Sequence, residues 1–176
     1  MTRIITVCTG NICRSPAAEL LLASAFSSEA SVSSAGTHAM VGHGIPASML
    51  MCLDGDGIDG RGHVARQYSA SLAREADLVV CMSARHRTWA VSEAPFALRR
   101  TFLLTELQEA ARLGAPLEGG LAGVAQAVSD FRPSLAGRVM ADVPDPYMES
   151  QAVYDASYAM IRTAVSEIAQ WVRSSL

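Results

Sequence analysis

One segment near the beginning of the chain constrains the fold more than any other: residues 4–16, with the sequence IITVCTGNICRSP. Its first four residues are all β-branched and predict a short buried strand. Ser15 and Pro16 predict a helix that begins with an N-cap serine and a first-turn proline. A strand that passes through a short loop into a helix is typical of α/β domains.

Strand and helix patterns alternate along the rest of the chain. Further strands are predicted at residues 31–34, 77–82 and 101–104, and the second of these is nearly all apolar, as in a strand buried on both faces of a parallel sheet. Helices are predicted at residues 47–53 and in the C-terminal segment, where apolar residues recur at spacings of three and four: Tyr154, Tyr158, Ile161, Val165, Ile168 and Val172. The alternation predicts one α/β domain over residues 1–176, with three layers and a central four-stranded parallel sheet flanked by helices.

The composition excludes several classes of function. The net charge is -3 and the basic residues form no run, so we expect no nucleic-acid partner. No stretch approaches the ~18 apolar residues of a membrane span, and residues 1–7 are too short an apolar run for a signal peptide. The sequence therefore predicts a cytoplasmic protein without a membrane partner.

The four cysteines are too few and too unevenly spaced for a secreted disulfide framework. Cys52 and Cys81 are predicted to fill the core. Cys8 and Cys13 have no second Cys/His pair at zinc-ligand spacing, and the neighbouring Arg14 would repel a cation. We therefore expect no metal.

The loop between Cys8 and Ser15 has the composition of an anion site. It follows a strand at the sheet edge where ligands of α/β domains bind, and its backbone N–H groups would converge beside the positive end of the next helix. Gly10 and Asn11 tolerate left-handed backbone angles, and Arg14 offers a planar fork for two phosphate oxygens. The same positive groups favour a thiolate at Cys8, which predicts attack on phosphorus and a phosphocysteine intermediate.

The stretch VCTGNICRSPAAELLL, residues 7–22, resembles the phosphate loop of the low-molecular-weight protein tyrosine phosphatases, whose signature is C-x5-R-[ST]. Later blocks resemble that family's blocks in the same order: SSAGT (33–37), GID with HVARQ (57–67), ADLVVCM (76–82) and DVPDPY (142–147). The resemblance implies a cysteine-dependent phosphatase that hydrolyses phosphotyrosine in proteins, or small aryl phosphate monoesters, through a phosphocysteine. It implies no metal or organic cofactor, and a tyrosine kinase as the counterpart.

The resemblance also implies roles for the residues of the loop. Cys8 is the expected nucleophile and Arg14 the expected phosphate clamp. Phosphate is expected to be bound by the other residues of the loop: Thr9, Gly10, Asn11, Ile12, Cys13 and Ser15. The Ser15 hydroxyl would donate a hydrogen bond to the thiolate. Three side chains are expected to hold the loop in its shape, those of Asn11, Ser34 and His63.

Expulsion of an alkoxide or phenoxide needs a proton, so the mechanism requires a carboxylic acid that reaches the leaving oxygen. Asp145 precedes Pro146, which imposes an extended backbone on it, and Asp145-Pro146-Tyr147 resembles the family's acid loop. We expect Asp145 to act first as the acid and then as the base that activates water. Asp142 is the rival, and its expected role is that of a solvated loop carboxylate.

The expected substrate pocket departs from the family. Many members wall the pocket with aromatic rings, and two such positions carry Met40 and Met148 here. Ile12 and Tyr147 complete an apolar slot with softer, more adaptable walls. Members that resemble phosphoarginine phosphatases tend to have Thr at the position of Ile12, so Ile12 favours an aryl phosphate.

An Ala/Gly/Leu-rich insertion at residues 108–140 is the second departure, because the family usually has a short connection here. An additional helix is predicted by four apolar residues on one helical face: Leu121, Val124, Val128 and Phe131. Pro133 ends this pattern. Two interpretations stay open: the helix packs near the rim of the active site and affects substrate choice or partner binding, or it extends the scaffold.

Two other functions stay open as well. One class of arsenate reductase resembles the same fold and cysteine loop, but its chemistry needs a resolving cysteine pair after the third strand, and no cysteine follows Cys81. A non-catalytic phosphate-binding regulatory module would need neither a nucleophile nor an acid. Whichever function holds, we hypothesise a reversible Cys8–Cys13 disulfide that shields Cys8 from irreversible oxidation.

Overall fold

The computed structural model describes residues 1–175 and contains a central sheet of four parallel strands. The strands are β1 (Thr2–Cys8), β2 (Ala30–Gly36), β3 (Leu78–Cys81) and β4 (Thr101–Leu103). Their order in the sheet is β2-β1-β3-β4, so β1 has a neighbouring strand on each side. The predicted parallel sheet is confirmed, and each strand overlaps its predicted segment.

Helices connect the strands and cover the sheet. The α-helices of residues 1–175 are α1 (Arg14–Ala25), α2 (Ala47–Gly55), α3 (Ala70–Glu75), α4 (Ala84–Glu93), α5 (Leu104–Arg112), α6 (Val124–Phe131) and α7 (Gln151–Ser174). Short 3₁₀ helices are found at Pro95–Arg100, Gly120–Gly123 and Arg132–Leu135. Within this part of the chain, no helix combines the length and the apolar character that a membrane span requires.

The sheet separates two apolar clusters, because successive side chains of a strand point to opposite faces. Ile4, Val80 and Phe102 belong to the larger cluster, which also contains buried residues of α1, α2, α5, α6 and α7. Ile5 and Val79 belong to the smaller cluster, which contains buried residues of α3 and α4. Two helical layers with a sheet between them form the three-layer α/β domain that the sequence predicts.

The strand order places the first loop in a crevice. The chain runs from β1 through α1 to β2 on one side of β1, and later enters β3 on its other side. This reversal opens a gap at the C-terminal ends of β1 and β3, the usual ligand position in such a sheet. Cys8 is the last residue of β1 and Cys81 the last of β3, so the loops that follow both strands meet at this gap.

The beginning of α1 differs from the prediction. The helix begins at Arg14 with Cys13 at the N-cap position, whereas the sequence predicts Ser15 as the N-cap. The Ser15 hydroxyl instead contacts the sulfur of Cys8 and the side-chain amide of Asn11. Because the Ser15 hydroxyl makes these contacts within the loop, it does not cap the helix.

The sequence patterns did not predict α3, α4 and α5, which have six, ten and nine residues. Helices this short leave little room for a clear apolar period. Serine caps mark the first two: the Ser69 hydroxyl accepts a hydrogen bond from Leu72 N at 3.3 Å, and the Ser83 hydroxyl accepts one from His86 N at 3.2 Å. This capping signal was present in the sequence.

The Ala/Gly/Leu-rich segment 108–140, which the sequence analysis predicts to be an insertion, contains the predicted additional helix, α6. Val124 and Val128 are completely buried in the larger cluster, and Leu121 is buried just before the helix. The helix ends at Phe131, and Pro133 lies in the 3₁₀ helix that follows. This packing favours the interpretation that α6 extends the scaffold, and an effect on substrate choice stays a prediction.

Arg132 joins the insertion to the sheet. Its guanidinium donates to the Glu106 carboxylate at 2.7 Å and to the carbonyl of Thr101 at 3.0 Å. The same guanidinium lies 4.5 Å from the centroid of the Phe102 ring. A stacked and paired arginine fixes the end of α6 against β4.

The packing of α6 can be tested by truncating its buried face. Val128→Ala is expected to lower the free energy of unfolding by about 2 kcal/mol, because two buried methyl groups are lost and a cavity remains. Gln126→Ala, on the exposed face of the same helix, is expected to change it by less than about 0.5 kcal/mol. Urea denaturation measures both values, and equal effects of the two substitutions would contradict the docking of α6 in the core.

Candidate active site

The loop after β1 curls through a left-handed residue. Asn11 has a φ of 57°, a conformation that asparagine tolerates better than most residues. Gly10, which the sequence also offered for a left-handed angle, does not have a positive φ. The expectation of left-handed backbone is therefore confirmed for Asn11 and wrong for Gly10.

The side chain of Asn11 is completely buried and binds both flanks of the loop. Its amide nitrogen donates to the hydroxyl of Ser15 at 2.9 Å and to that of Ser34 at 2.8 Å. Its amide oxygen accepts from the backbone nitrogen of Arg66 at 2.9 Å. The ring nitrogen Nε2 of His63 lies 2.7 Å from the carbonyl of Asn11. These contacts place Asn11, Ser34 and His63 together, as the resemblance implies.

Glu19 and Arg66 complete this network, and the sequence did not identify them. The hydroxyl of Ser34 donates to the Glu19 carboxylate, which also lies 3.9 Å from Nδ1 of His63. The Arg66 guanidinium donates to the carbonyl of Ser34 at 2.9 Å. Arg66 lies within the same HVARQ block as His63, so the sequence contains a signal for it.

The thiol of Cys8 lies where β1 ends and the phosphate loop begins. Its Sγ lies 3.0 Å from the hydroxyl oxygen of Ser15. That hydroxyl accepts from Asn11, and its own proton has two acceptors within reach: the Cys8 sulfur at 3.0 Å and the carbonyl of Ala35 at the longer distance of 3.4 Å. A hydroxyl donor stabilises a thiolate, as the predicted nucleophile requires.

Cys13 lies in a different environment from Cys8. Its Sγ is 4.0 Å from the hydroxyl of Tyr154, and it is almost completely buried. Burial raises the pKa of the Cys13 thiol to about 12, so this sulfur is protonated at neutral pH. Both Cys8 and Cys13 are free thiols in the structure, and the reversible disulfide between them stays a prediction.

Arg14 joins the phosphate loop to the loop at residues 142–147. Its guanidinium donates to the carbonyl of Val143 at 3.2 Å and pairs with the Asp145 carboxylate at 2.8 Å. The Arg14 side chain is 7% exposed and that of Asp145 is 53% exposed. Within residues 1–175, the buried Nε of Arg14 has no hydrogen-bond partner. That N–H can bind an oxygen of an anion in the loop.

Asp142 is a solvated loop carboxylate, as the sequence predicts, but it also makes a structural contact. It is exposed, and its Oδ1 accepts from the backbone nitrogen of Ala84, the first residue of α4, at 2.8 Å. The next residue, Val143, donates its N–H to the carbonyl of Met82 at 2.9 Å. These two bonds attach the loop that carries Asp145 to the end of β3 and the beginning of α4.

Nine of the predicted site residues line one cavity of about 140 Å³. It is lined by Cys8, Thr9, Gly10, Ile12, Cys13, Arg14, His38, Met40, Asp145 and Tyr147. The side chains of Asn11 and Ser15, expected among the phosphate-binding residues, are completely buried and do not line it, and neither do Ser34 and His63. Met148 lies outside this lining, is 85% exposed and has a φ of 61°. The cavity thus unites the nucleophile, the clamp and the acid predicted from sequence with three of the four predicted apolar wall residues.

His38 lines this cavity, and the sequence did not identify it. It lies in the segment after β2, whose backbone follows the phosphate loop: N–H groups of Thr37, His38 and Met40 donate to the carbonyls of Cys8, Thr9 and Gly10. Gly36 allows this approach, because a Cβ at this position would lie 2.4 Å from the carbonyl oxygen of Thr9. The SSAGT block therefore contains Gly36, which permits the close approach, and it ends at Thr37, directly before the wall residue His38.

Comparisons with known proteins agree with this geometry. Residues 3–129 match the family model described as low molecular weight phosphotyrosine protein phosphatase. The low molecular weight protein-tyrosine-phosphatase Ptp of Acinetobacter johnsonii is 30% identical over 164 residues, which cover 93% of each chain. The loop at residues 142–147 lies beyond the residues that the family model matches. The match to the Acinetobacter protein covers 93% of this chain and therefore includes that loop.

Solved structures share the fold over nearly the whole chain. The tyrosine phosphatase amsI of Erwinia amylovora has a TM-score of 0.74 and 26% identity, covering 98% of this chain and 92% of its own. The YwlE arginine phosphatase of Geobacillus stearothermophilus has a TM-score of 0.76 and 26% identity, covering 99% of this chain and 94% of its own. With the Cys8 loop, Arg14 and the Asp145 loop in one cavity, the chain belongs to the low molecular weight phosphotyrosine protein phosphatase family.

Proposed function

We propose that Cys8, Arg14 and Asp145 carry the reaction of this protein tyrosine phosphatase. The observation that supports these roles is their arrangement: all three line one cavity, and the Arg14 guanidinium lies 2.8 Å from the Asp145 carboxylate. The backbone N–H groups of the loop from Thr9 to Ser15 bind the phosphoryl oxygens. The network around Asn11 holds these groups in position before substrate enters, which is the condition for electrostatic stabilisation of a transition state.

The first step transfers the phosphoryl group to Cys8. The thiolate attacks phosphorus, the bond between phosphorus and the ester oxygen breaks, and Asp145 gives its proton to the leaving oxygen. In the second step Asp145 takes a proton from water, the water oxygen attacks phosphorus, and the sulfur–phosphorus bond breaks. Inorganic phosphate leaves, and the thiolate and the protonated acid are restored. Arg14 and the loop dipoles stabilise the equatorial oxygens in both steps.

The apolar walls support an aryl phosphate as the substrate. Ile12 is 5% exposed, and with Met40 and the half-exposed ring of Tyr147 it offers no charged group to a leaving group beside the phosphate. A phenyl ring gains from burial against such walls, whereas a guanidinium would lose hydration. The site therefore fits phosphotyrosine better than phosphoarginine.

The cysteines argue against thiol-dependent arsenate reduction. Cys81 is completely buried within β3, and burial raises the pKa of its thiol above the usual range. Cys52 lies on α2, where its thiol is 3.4 Å from the carbonyl of Ser48. Neither lines the cavity of Cys8. The non-catalytic module is not favoured either, because the cavity holds both a nucleophile and an acid.

The cellular setting is part of the same proposal. A phosphatase of this class acts on phosphotyrosine in a protein, and a tyrosine kinase is the counterpart that produces this group. The nucleophile must stay a reduced thiol, and all four cysteines are free in the structure. A reducing compartment such as the cytoplasm meets this need.

The first test concerns the nucleophile and the absence of a metal requirement. Cys8→Ser is expected to lower phosphate release from para-nitrophenyl phosphate by at least about 10³-fold, because no covalent intermediate forms. Cys52→Ser, outside the cavity, serves as the control and is expected to keep wild-type activity. The wild-type rate is expected to be the same in EDTA, and loss of activity in EDTA or survival of activity in Cys8→Ser would contradict the mechanism.

The second test concerns the acid. Since Cys8 must be ionised and Asp145 protonated, kcat/KM for para-nitrophenyl phosphate is expected to have a bell-shaped pH profile centred on the acidic side of neutral. Asp145→Asn is expected to lower kcat about 10²-fold and to remove the alkaline limb, because the proposed proton donor is gone. Glu149→Gln, an exposed carboxylate four residues away, is the matched control. An alkaline limb that persists in Asp145→Asn would assign the acid to another group.

The third test concerns the leaving group. One peptide sequence is prepared with phosphotyrosine or with phosphoarginine, and kcat/KM is measured for both forms at several pH values. We expect the phosphotyrosine peptide to be preferred by at least about tenfold, because the apolar walls stabilise a phenyl ring and the carboxylate in the cavity, Asp145, already pairs with Arg14. Equal values would show that the walls do not decide the substrate.

A further inference from the structure

Thr9 and His86 form a contact at the edge of the cavity that the proposed mechanism does not use. The Thr9 hydroxyl oxygen lies 2.8 Å from Nε2 of His86. Thr9 follows the nucleophile Cys8 and lines the cavity. His86 belongs to the first turn of α4 and is 4% exposed. A buried imidazole thus lies directly behind a hydroxyl of the phosphate loop.

The surroundings of His86 decide which ring nitrogen carries the proton. Burial, followed by the charge of Arg14, lowers the pKa of His86 to about 4, so the ring is neutral at neutral pH and carries one N–H. Its Nδ1 is buried and has no hydrogen-bond partner among residues 1–175. A proton on Nδ1 would be a buried donor without an acceptor, which proteins rarely tolerate. A proton on Nε2 has an acceptor in Thr9.

This tautomer determines the direction of the Thr9 hydroxyl. If Nε2–H donates to the hydroxyl oxygen, the hydroxyl proton must point away from the ring. Thr9 is exposed on the cavity side, and its backbone carbonyl already accepts from His38 N at 3.0 Å. The hydroxyl proton is therefore available to an oxygen inside the cavity.

We propose that His86 is a positioning residue that makes the Thr9 hydroxyl a hydrogen-bond donor to a phosphoryl oxygen of the substrate. The inference rests on the proposed function, because it assumes that the loop binds a phosphoryl group. It adds a side-chain donor to the backbone donors of the loop. It also gives His86 a role other than acid–base catalysis, since Nε2 already holds a proton and Nδ1 is enclosed.

The tautomer is tested on the unmodified protein by ¹⁵N NMR of the histidine rings at neutral pH. We expect the His86 ring to carry its proton on Nε2, with Nδ1 unprotonated. A proton on Nδ1 would mean that Thr9 donates to His86, which would overturn the inference. This measurement needs no variant of His86 to fold.

The consequence for phosphate binding is tested with a double-mutant cycle. The variants are Thr9→Val, His86→Phe and the combination of both, and the measured quantity is the competitive inhibition constant of inorganic phosphate. Thr9→Val is expected to raise this constant about tenfold, because a hydrogen bond to a charged group is lost. His86→Phe is expected to raise it by a smaller factor, and to have no further effect when Thr9 is already Val.

Conservative variants and a control complete the cycle. Thr9→Ser keeps the hydroxyl and His86→Gln keeps a side-chain N–H donor, so both are expected to stay within about threefold of wild type. Thr88→Val, an exposed threonine on α4, is expected to leave the inhibition constant unchanged. Melting temperatures of all variants separate loss of binding from loss of folding.

Two results would overturn the inference without touching the proposed function. One is a Thr9→Val protein with wild-type affinity for phosphate. The other is a penalty for His86→Phe that persists in full in the Thr9→Val background, which would show a purely structural role. Failure of the proposed function looks different: the wild-type protein would release no phosphate, or Cys8→Ser would stay active.

Discussion

The shape of the phosphate loop depends on the hydrogen bonds made by the side-chain amide of Asn11. A left-handed residue with a Cβ is strained, and such strain persists only where surrounding contacts hold it. Those contacts come from the hydroxyls of Ser15 on α1 and Ser34 on β2, and from the backbone of Arg66. The loop can therefore take its shape only when α1, β2 and the segment after α2 are packed together. The geometry of the phosphate loop is a property of the whole fold.

The part of the cavity wall that follows β2 is held in place by backbone hydrogen bonds rather than by side chains. Residues 37–40 donate their N–H groups to the carbonyls of the phosphate loop, and Gly36 permits the close approach. Because main-chain bonds fix the position of this wall, the side chains on it can vary without disturbing the loop. Met40 can therefore stand where the resemblance implies an aromatic ring, and the phosphate loop keeps its shape.

Local sequence patterns were enough to predict the strands, α7 and the residues that we propose as catalytic. Cys8, Arg14 and Asp145 lie in short motifs whose spacing has a direct physical meaning. The supporting contacts could not be predicted in the same way, because Asp142 meets Ala84 and His86 meets Thr9 only after β1 and β3 become neighbours. Ser15 shows the opposite error: a good capping pattern lost to a tertiary contact with Cys8 and Asn11, because a hydroxyl cannot serve both.

Arg14 holds together two loops that lie far apart in the sequence, the phosphate loop and the loop at residues 142–147. One guanidinium nitrogen donates to the carbonyl of Val143, a neutral acceptor whose bond does not depend on the charge of Asp145. The loop that carries Asp145 is thereby held by Arg14, by Met82 and by Ala84 at once. Because the bond to Val143 uses Nη1 and the pair with Asp145 uses Nη2, Nε, which has no partner among residues 1–175, can bind a phosphoryl oxygen while the proposed acid stays beside the loop. In the proposed mechanism, Arg14 thus binds the phosphate and also keeps the loop of Asp145 beside the loop of Cys8.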